Sequence, residues 1–126
     1  MNKKKKRILL SIGRITNKRK LLPLIKKIDQ KKFIIFATKN THRFLKRNHI
    51  ETGLVYKISH YDKKPNLANL LENKSFNVII NIPTRRGKTR NGEYSDGRMI
   101  RKAALKTGTV LITDLEVAKD FIADFL

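Results

Sequence analysis

The chain has 126 residues, 30 of them Lys or Arg against 10 Asp or Glu, for a formal charge of +20. It has no cysteine, which excludes disulfide scaffolds, Cys-ligated zinc and thiol nucleophiles. Its residues are 40% hydrophobic and gathered in runs, enough for one core, while no run reaches the length of a membrane span.

Five short apolar runs set the plan. The cationic run Lys3–Arg7 leads straight into the first of them, Ile8–Ile12. Leu21, Leu22, Leu24, Ile25 and Ile28 then recur at helical spacing, and Pro23 places the start of that helix near itself or bends it there. The second run, Phe33–Ala37, is continuously apolar, as expected of a parallel strand buried on both faces. A short helix follows over Thr41–Lys46, then a third strand over Leu54–Ile58 and a helix over Pro65–Glu72. Val78–Ile82 is the fourth strand. Thr84–Ser95, rich in Arg, Gly and Lys without apolar periodicity, reads as a mobile surface loop. A helix over Asp96–Lys106 stops before Gly108, a glycine placed as a C-cap. Val110–Thr113 is the fifth strand, and Thr113 with Glu116 has capping-box spacing for the last helix. Alternating strands and helices predict one α/β domain over residues 1–126, a parallel sheet covered on both faces, with residues 1–6 as a basic arm. With no signal-peptide pattern at the N-terminus, the expected location is cytoplasmic.

Ligands of open parallel sheets bind beyond the carboxyl ends of the strands, where loops meet helix N-termini. Ser11 and Gly13, Thr38 and Thr41, Lys57, Asn81 and Thr84, and Thr113 gather at those ends. Hydroxyls, an amide and an ammonium suit a phosphate or carboxylate. Taken singly, Thr38, Thr41 and Thr113 also suit plain helix caps. Signals for catalysis are thin. Ser11–Lys20 contains no Asp, Glu or His, and Asp62 and Asp96 are the only inward acids in reach. His42, His49 and His60 have no metal-ligand spacing and read as surface residues, so neither metal nor cofactor is expected.

In order and spacing, Ser11-Ile12-Gly13, Phe36–Thr41, Tyr56-Lys57-Ile58, Val78–Thr84 and Ile100–Ala104 resemble the methylglyoxal-synthase-like domain. The resemblance is strongest to the allosteric domain at the C-terminus of the carbamoyl phosphate synthetase large subunit, and it runs from Arg7 to the final helix. It implies a Rossmann- or flavodoxin-like three-layer domain with a five-stranded parallel sheet. It also implies a non-catalytic, regulatory role. The domain would bind a nucleotide-like or other phosphorylated or acidic effector, tied to carbamoyl phosphate synthesis and through it to pyrimidine and arginine biosynthesis. By position it assigns ligand contacts to Ser11, Lys18, Thr38, Thr41, Lys57, Asn81 and Thr84. The first-strand loop departs from the family by lacking an acid, and Lys39-Asn40 stands where a glycine commonly precedes the second threonine.

The catalytic chain of carbamoyl phosphate synthase is the implied protein partner, the present chain being a free-standing subunit, a split-gene product or an excised domain. The resemblance leaves the oligomeric state open. Two other readings compete. One is methylglyoxal synthase itself, acting on dihydroxyacetone phosphate with His60 and Asp62 as the acid/base pair. The other is a polyanion-binding protein using Lys3–Arg7 and Arg85–Arg90. No exposed aromatic accompanies the N-terminal run, so nucleic acid is not the expected partner. Much of the Lys is what translation of an AT-rich genome would leave on a solvated surface.

Overall fold

The computed structural model describes residues 5–56, 76–83 and 96–126, with side chains from residue 100 onward in the last segment. Its elements are β1 (Lys6–Ile12), α1 (Ile15–Ile25), β2 (Phe33–Thr38), α2 (Lys39–Arg47), β3 (Gly53–Val55), β4 (Val78–Ile82), α3 (Asp96–Thr107), β5 (Val110–Ile112) and α4 (Leu115–Phe125). The strands form one sheet in the order β3-β2-β1-β4-β5, and every pairing is parallel. This is the α/β architecture that the continuous apolar runs predict.

Alternation along β1 explains the layering. Ile8, Leu10 and Ile12 face α1, α2 and α4, packing with Leu21, Ile25, Leu45, Ala118 and Ile122 in one cluster. Leu9 faces the other way, into a cluster with Val55, Phe76, Ile79, Ile100 and Ala104 beneath α3. A strand apolar on both faces is what a sheet sandwiched between helices requires.

Three local readings need correction. Helix α1 does not begin at Pro23; it begins at Ile15, and Pro23 lies inside its last turn. Pro23 is exposed there, so water can serve the carbonyl one turn back that loses its partner. Asp114, not Thr113, caps α4: its carboxylate accepts from the Val117 backbone N–H at 3.0 Å, and Glu116 pairs with Lys119 instead. Thr38 stands at the N-cap of α2 but makes no side-chain cap bond. The other boundaries move by a few residues. The run at Leu54–Ile58 is a strand over Gly53–Val55, and Lys57 and Ile58 lie outside the described residues. So do the helix expected over Pro65–Glu72 and the loop Thr84–Ser95. Gly108, at φ 70°, ends α3 in the left-handed region, as its position predicts.

Gly53 is needed for close approach. A Cβ there would lie 2.6 Å from the Cδ1 of Phe36, whose ring packs edge-on against Phe76 with centroids 5.7 Å apart. Gly53→Ala should therefore lower stability by about 1–3 kcal/mol through overpacking, read as a shift of the urea midpoint.

Candidate functional site

Because β2 and β3 lie on one side of β1 and β4 and β5 on the other, the winding direction reverses between β1 and β4. In open parallel sheets, ligands bind in a crevice outside the carboxyl ends of the strands at such a point. Ser11 of β1 is in register with Asn81 of β4, and Thr38 of β2 pairs with Val55 of β3. Leu10 pairs with Ala37, so Thr38 is the next residue across from Ser11. Ser11, Thr38 and Asn81 thus form a polar row on the α3 side of the sheet, one step beyond the apolar row of Leu9, Phe36 and Ile79.

The row is joined by hydrogen bonds. Thr38 Oγ1 donates to Ser11 Oγ at 3.1 Å, and Asn81 Nδ2 donates to the Ser11 carbonyl at 3.4 Å. Asn81 is only 3% exposed, yet its amide oxygen accepts from Arg101 Nη1 at 3.2 Å. Both ends of the amide are therefore engaged, which fixes its orientation and holds the Arg101 guanidinium over the row. A guanidinium has five donors, and this bond uses one.

Thr41 sits on the opposite side of the β1 end. It is 2% exposed; its hydroxyl accepts from the Ile12 N–H at 3.0 Å and reaches the Ile12 carbonyl at 3.4 Å. The hydroxyl is a strut between α2 and β1, not a helix cap. One step past the end of β1 the pairing with β4 continues, the Gly13 N–H donating to the Ile82 carbonyl at 2.7 Å, and Asn17 Nδ2 donates to the Gly13 carbonyl at 3.1 Å.

Helices α1 and α2 both start at this edge, with no side-chain cap and no acid in either first turn. Their first N–H groups and dipoles favour an anion at the crevice. Arg14, at the head of α1, holds φ 62°, a conformation a non-glycine residue seldom adopts, so the turn entering α1 is strained. Lys18 lies one turn into α1, half-buried, and desolvation pushes its pKa below the ordinary lysine value. No hydrogen bond joins its side chain to the polar row.

Of the residues expected at the site, the fold brings Ser11, Thr38 and Asn81 into one bonded set and places Thr41 behind it. Lys57 and Thr84 lie outside the described residues, as do His60 and Asp62. Asp96 is the first residue of α3. Arg101 was missed: one more cation in a basic chain carries no signal. Its place one turn into a helix that follows a strand end was the available clue. The set contains hydroxyls, an amide and a guanidinium, but no carboxylate or imidazole. It is equipped to hold an anion, and none of its members has the basicity to take a proton from carbon at neutral pH.

Elsewhere, an open cavity of about 460 Å³ is lined by His42, Lys46, His49, Ile50, Glu51 and Thr52. His42 is not a plain surface residue: its Nδ1 lies 2.6 Å from Thr52 Oγ1 and the ring is half-buried. Among the described residues no three His, Asp or Glu side chains gather closely enough for a metal, and no helix is long and apolar enough to cross a membrane.

The family model described as the MGS-like domain matches residues 20–113. The chain is 37% identical over 109 residues to the carbamoyl phosphate synthase large chain of Archaeoglobus fulgidus, covering 86% of this chain and 9% of that one. It is 32% identical over 99 residues to the C-terminal section of the large chain of Methanopyrus kandleri, covering 79% of this chain and 17% of that protein. It is 31% identical over 119 residues to the multifunctional protein pyr-3 of Neurospora crassa, covering 91% of this chain and 6% of that one. The chain thus spans a small fraction of each relative's length. By the family match across its central strands and helices, and by its relatives, this chain belongs to the MGS-like domain family.

Proposed function

We propose that this chain is a regulatory, non-catalytic domain that binds a phosphorylated or acidic small molecule and through it controls carbamoyl phosphate synthesis, the supply point for pyrimidine and arginine biosynthesis. One observation carries the reading. The Ser11–Thr38–Asn81 row at the switch point is bonded to the Arg101 guanidinium, and helices α1 and α2 begin at the same edge of the sheet without side-chain caps. Among the described residues the row holds hydroxyls, an amide and a guanidinium, and neither carboxylate nor imidazole. Family membership supports the link to the catalytic chain of carbamoyl phosphate synthase as partner. The expected contacts Lys57 and Thr84 belong to the same proposal.

A thermal-shift screen of nucleotides, phosphosugars and N-acyl amino acids tests this. A ligand specific to the native state raises the melting temperature with the logarithm of its concentration over Kd. The best ligand should lose about tenfold or more in affinity with Asn81→Ala, because a hydrogen bond to a charged group is worth about 1.5–3 kcal/mol and Arg101 would lose its anchor. Turnover of dihydroxyacetone phosphate, or binding indifferent to Asn81 and Arg101, would overturn the proposal.

Lys18 supplies a second check. Desolvation lowers its folded-state pKa, so folding disfavours its charged form. The unfolded chain holds that proton more tightly, and stability rises with pH between the lowered value and 10.5. Lys18→Met should raise the stability of the free protein at neutral pH and flatten this rise in denaturation curves. If Lys18 serves the anion, the same variant should weaken binding.

A further inference from the structure

The fold sorts charge in a way the linear sequence hides. Helix α2 has four cations, Lys39, Arg43, Lys46 and Arg47, and no acid. All four are exposed, and none forms an ion pair with a described residue. Helix α1, packed beside it, also contains no acid. On it and just past its end, Arg19, Lys20, Lys26 and Lys27 are exposed and likewise unpaired among the described residues. The acids carried on the helices of this layer lie on α4, on the other side of α1, where Glu116, Asp120 and Asp124 are exposed; Asp29 and Glu51 stand in the turns after α1 and α2, and neither forms an ion pair with a described residue. The single ion pair between described residues, Lys119 with Glu116, is also on α4. One face of the molecule therefore has a two-helix cationic strip bordered by an acidic ridge.

We propose that the α1–α2 strip is a sequence-independent binding surface for the phosphodiester backbone of double-stranded nucleic acid. Unpaired cations spaced along two adjacent helices neutralise a row of phosphates and release their counterions. Single strands are disfavoured because the strip has no exposed stacking platform: Phe44 packs half-buried against the core, and the half-buried His42 ring is engaged by Thr52. A lipid surface is disfavoured because the apolar faces of both helices are spent on the core, and Ile15 is the one large apolar side chain left exposed on them. The strip shares no residue with the segments where the sequence places polyanion binding, Lys3–Arg7 and Arg85–Arg90.

The test is fluorescence anisotropy with a mixed-sequence DNA duplex and its RNA counterpart, read across salt concentration. With six cations engaged, affinity should fall about 1,000-fold between about 50 and 200 mM salt. The triple variant Arg43→Gln, Lys46→Gln, Arg47→Gln should reduce the slope of log K against log salt by about 2.7, at about 0.9 for each phosphate no longer neutralised. The variant Lys20→Gln, Lys26→Gln, Lys27→Gln should act similarly, an independent check if the first perturbs α2. A control of equal charge, Lys5→Gln, Lys102→Gln, Lys106→Gln, should change the slope by less than either. Equal effects of strip and control variants would overturn the proposal by reducing the binding to net charge. So would the absence of duplex binding at low salt, or tighter binding to anionic vesicles, single strands or polyglutamate.

Discussion

Leu10→Ala should be the most damaging single truncation, lowering stability by about 2–5 kcal/mol. Leu10 is fully buried in the central strand, between Ala37 of β2 and Ile80 of β4, in the cluster that holds α1, α2 and α4 on the sheet. Neither neighbouring strand can collapse into the gap without breaking its ladder with β1, so the cavity persists and adds to the lost transfer energy. Small domains have about 5–15 kcal/mol of stability in total, so the variant should sit close to unfolding. Urea denaturation followed by circular dichroism measures it; a drop below about 1 kcal/mol, far under the range for such truncations, would mean that β1 is not the packed centre of the sheet.

Thr41→Val comes next, at about 1–3 kcal/mol. Valine keeps the shape but removes the partner of the Ile12 N–H, a buried donor that water does not reach. Thr41→Ser keeps the hydroxyl and should recover most of that stability, the remainder being due to the missing methyl. The two variants separate the strut from the packing. Equal destabilisation by both would show that the hydroxyl does nothing for β1. The valine variant also displaces the last residue of β1, next to Ser11, so a ligand in the crevice should bind Thr41→Val less tightly than Thr41→Ser.

What could be read in advance followed from burial. Strands of a sheet covered by helices run apolar, so the runs Phe33–Ala37 and Val78–Ile80 are plain in the sequence, and the structure places strands over both, although Ile34 of β2 stays exposed. The start of helix α1 is not legible because its first turns, Ile15–Lys20, are exposed or half-buried and show little apolar periodicity. Pro23 then reads as a start or a bend, and of these the start is wrong, since Pro23 lies in the last turn. Thr113 and Asp114 are both competent caps, and one residue of phase decides between them; Asp114 has the extended backbone that lets its carboxylate reach Val117. At the site, strand-end polar residues were legible because a parallel sheet must bring its carboxyl ends to one edge. The side of the sheet each would face was not. Register turns Ser11 and Asn81 toward α3, whereas Thr41 comes at β1 from the other side, and that difference separates the polar row at the strand ends from an internal strut.

The place of β1 in the sheet also bears on the order in which the molecule assembles. Joining β1 to β2 closes a span of 27 residues between Ser11 and Thr38, whereas joining it to β4 closes 70 between Ser11 and Asn81. The longer closure costs about 0.8 kcal/mol more in chain entropy, so the β1–β2–α2 half should order first and β4 dock late. The candidate site joins Ser11 of β1 to Asn81 of β4, and so it exists only after that last event. A ligand held there has nothing to grip on the uphill climb. In stopped-flow chevrons it should slow unfolding and leave the refolding arm where it was, acting as a latch on the finished molecule instead of a guide to its making.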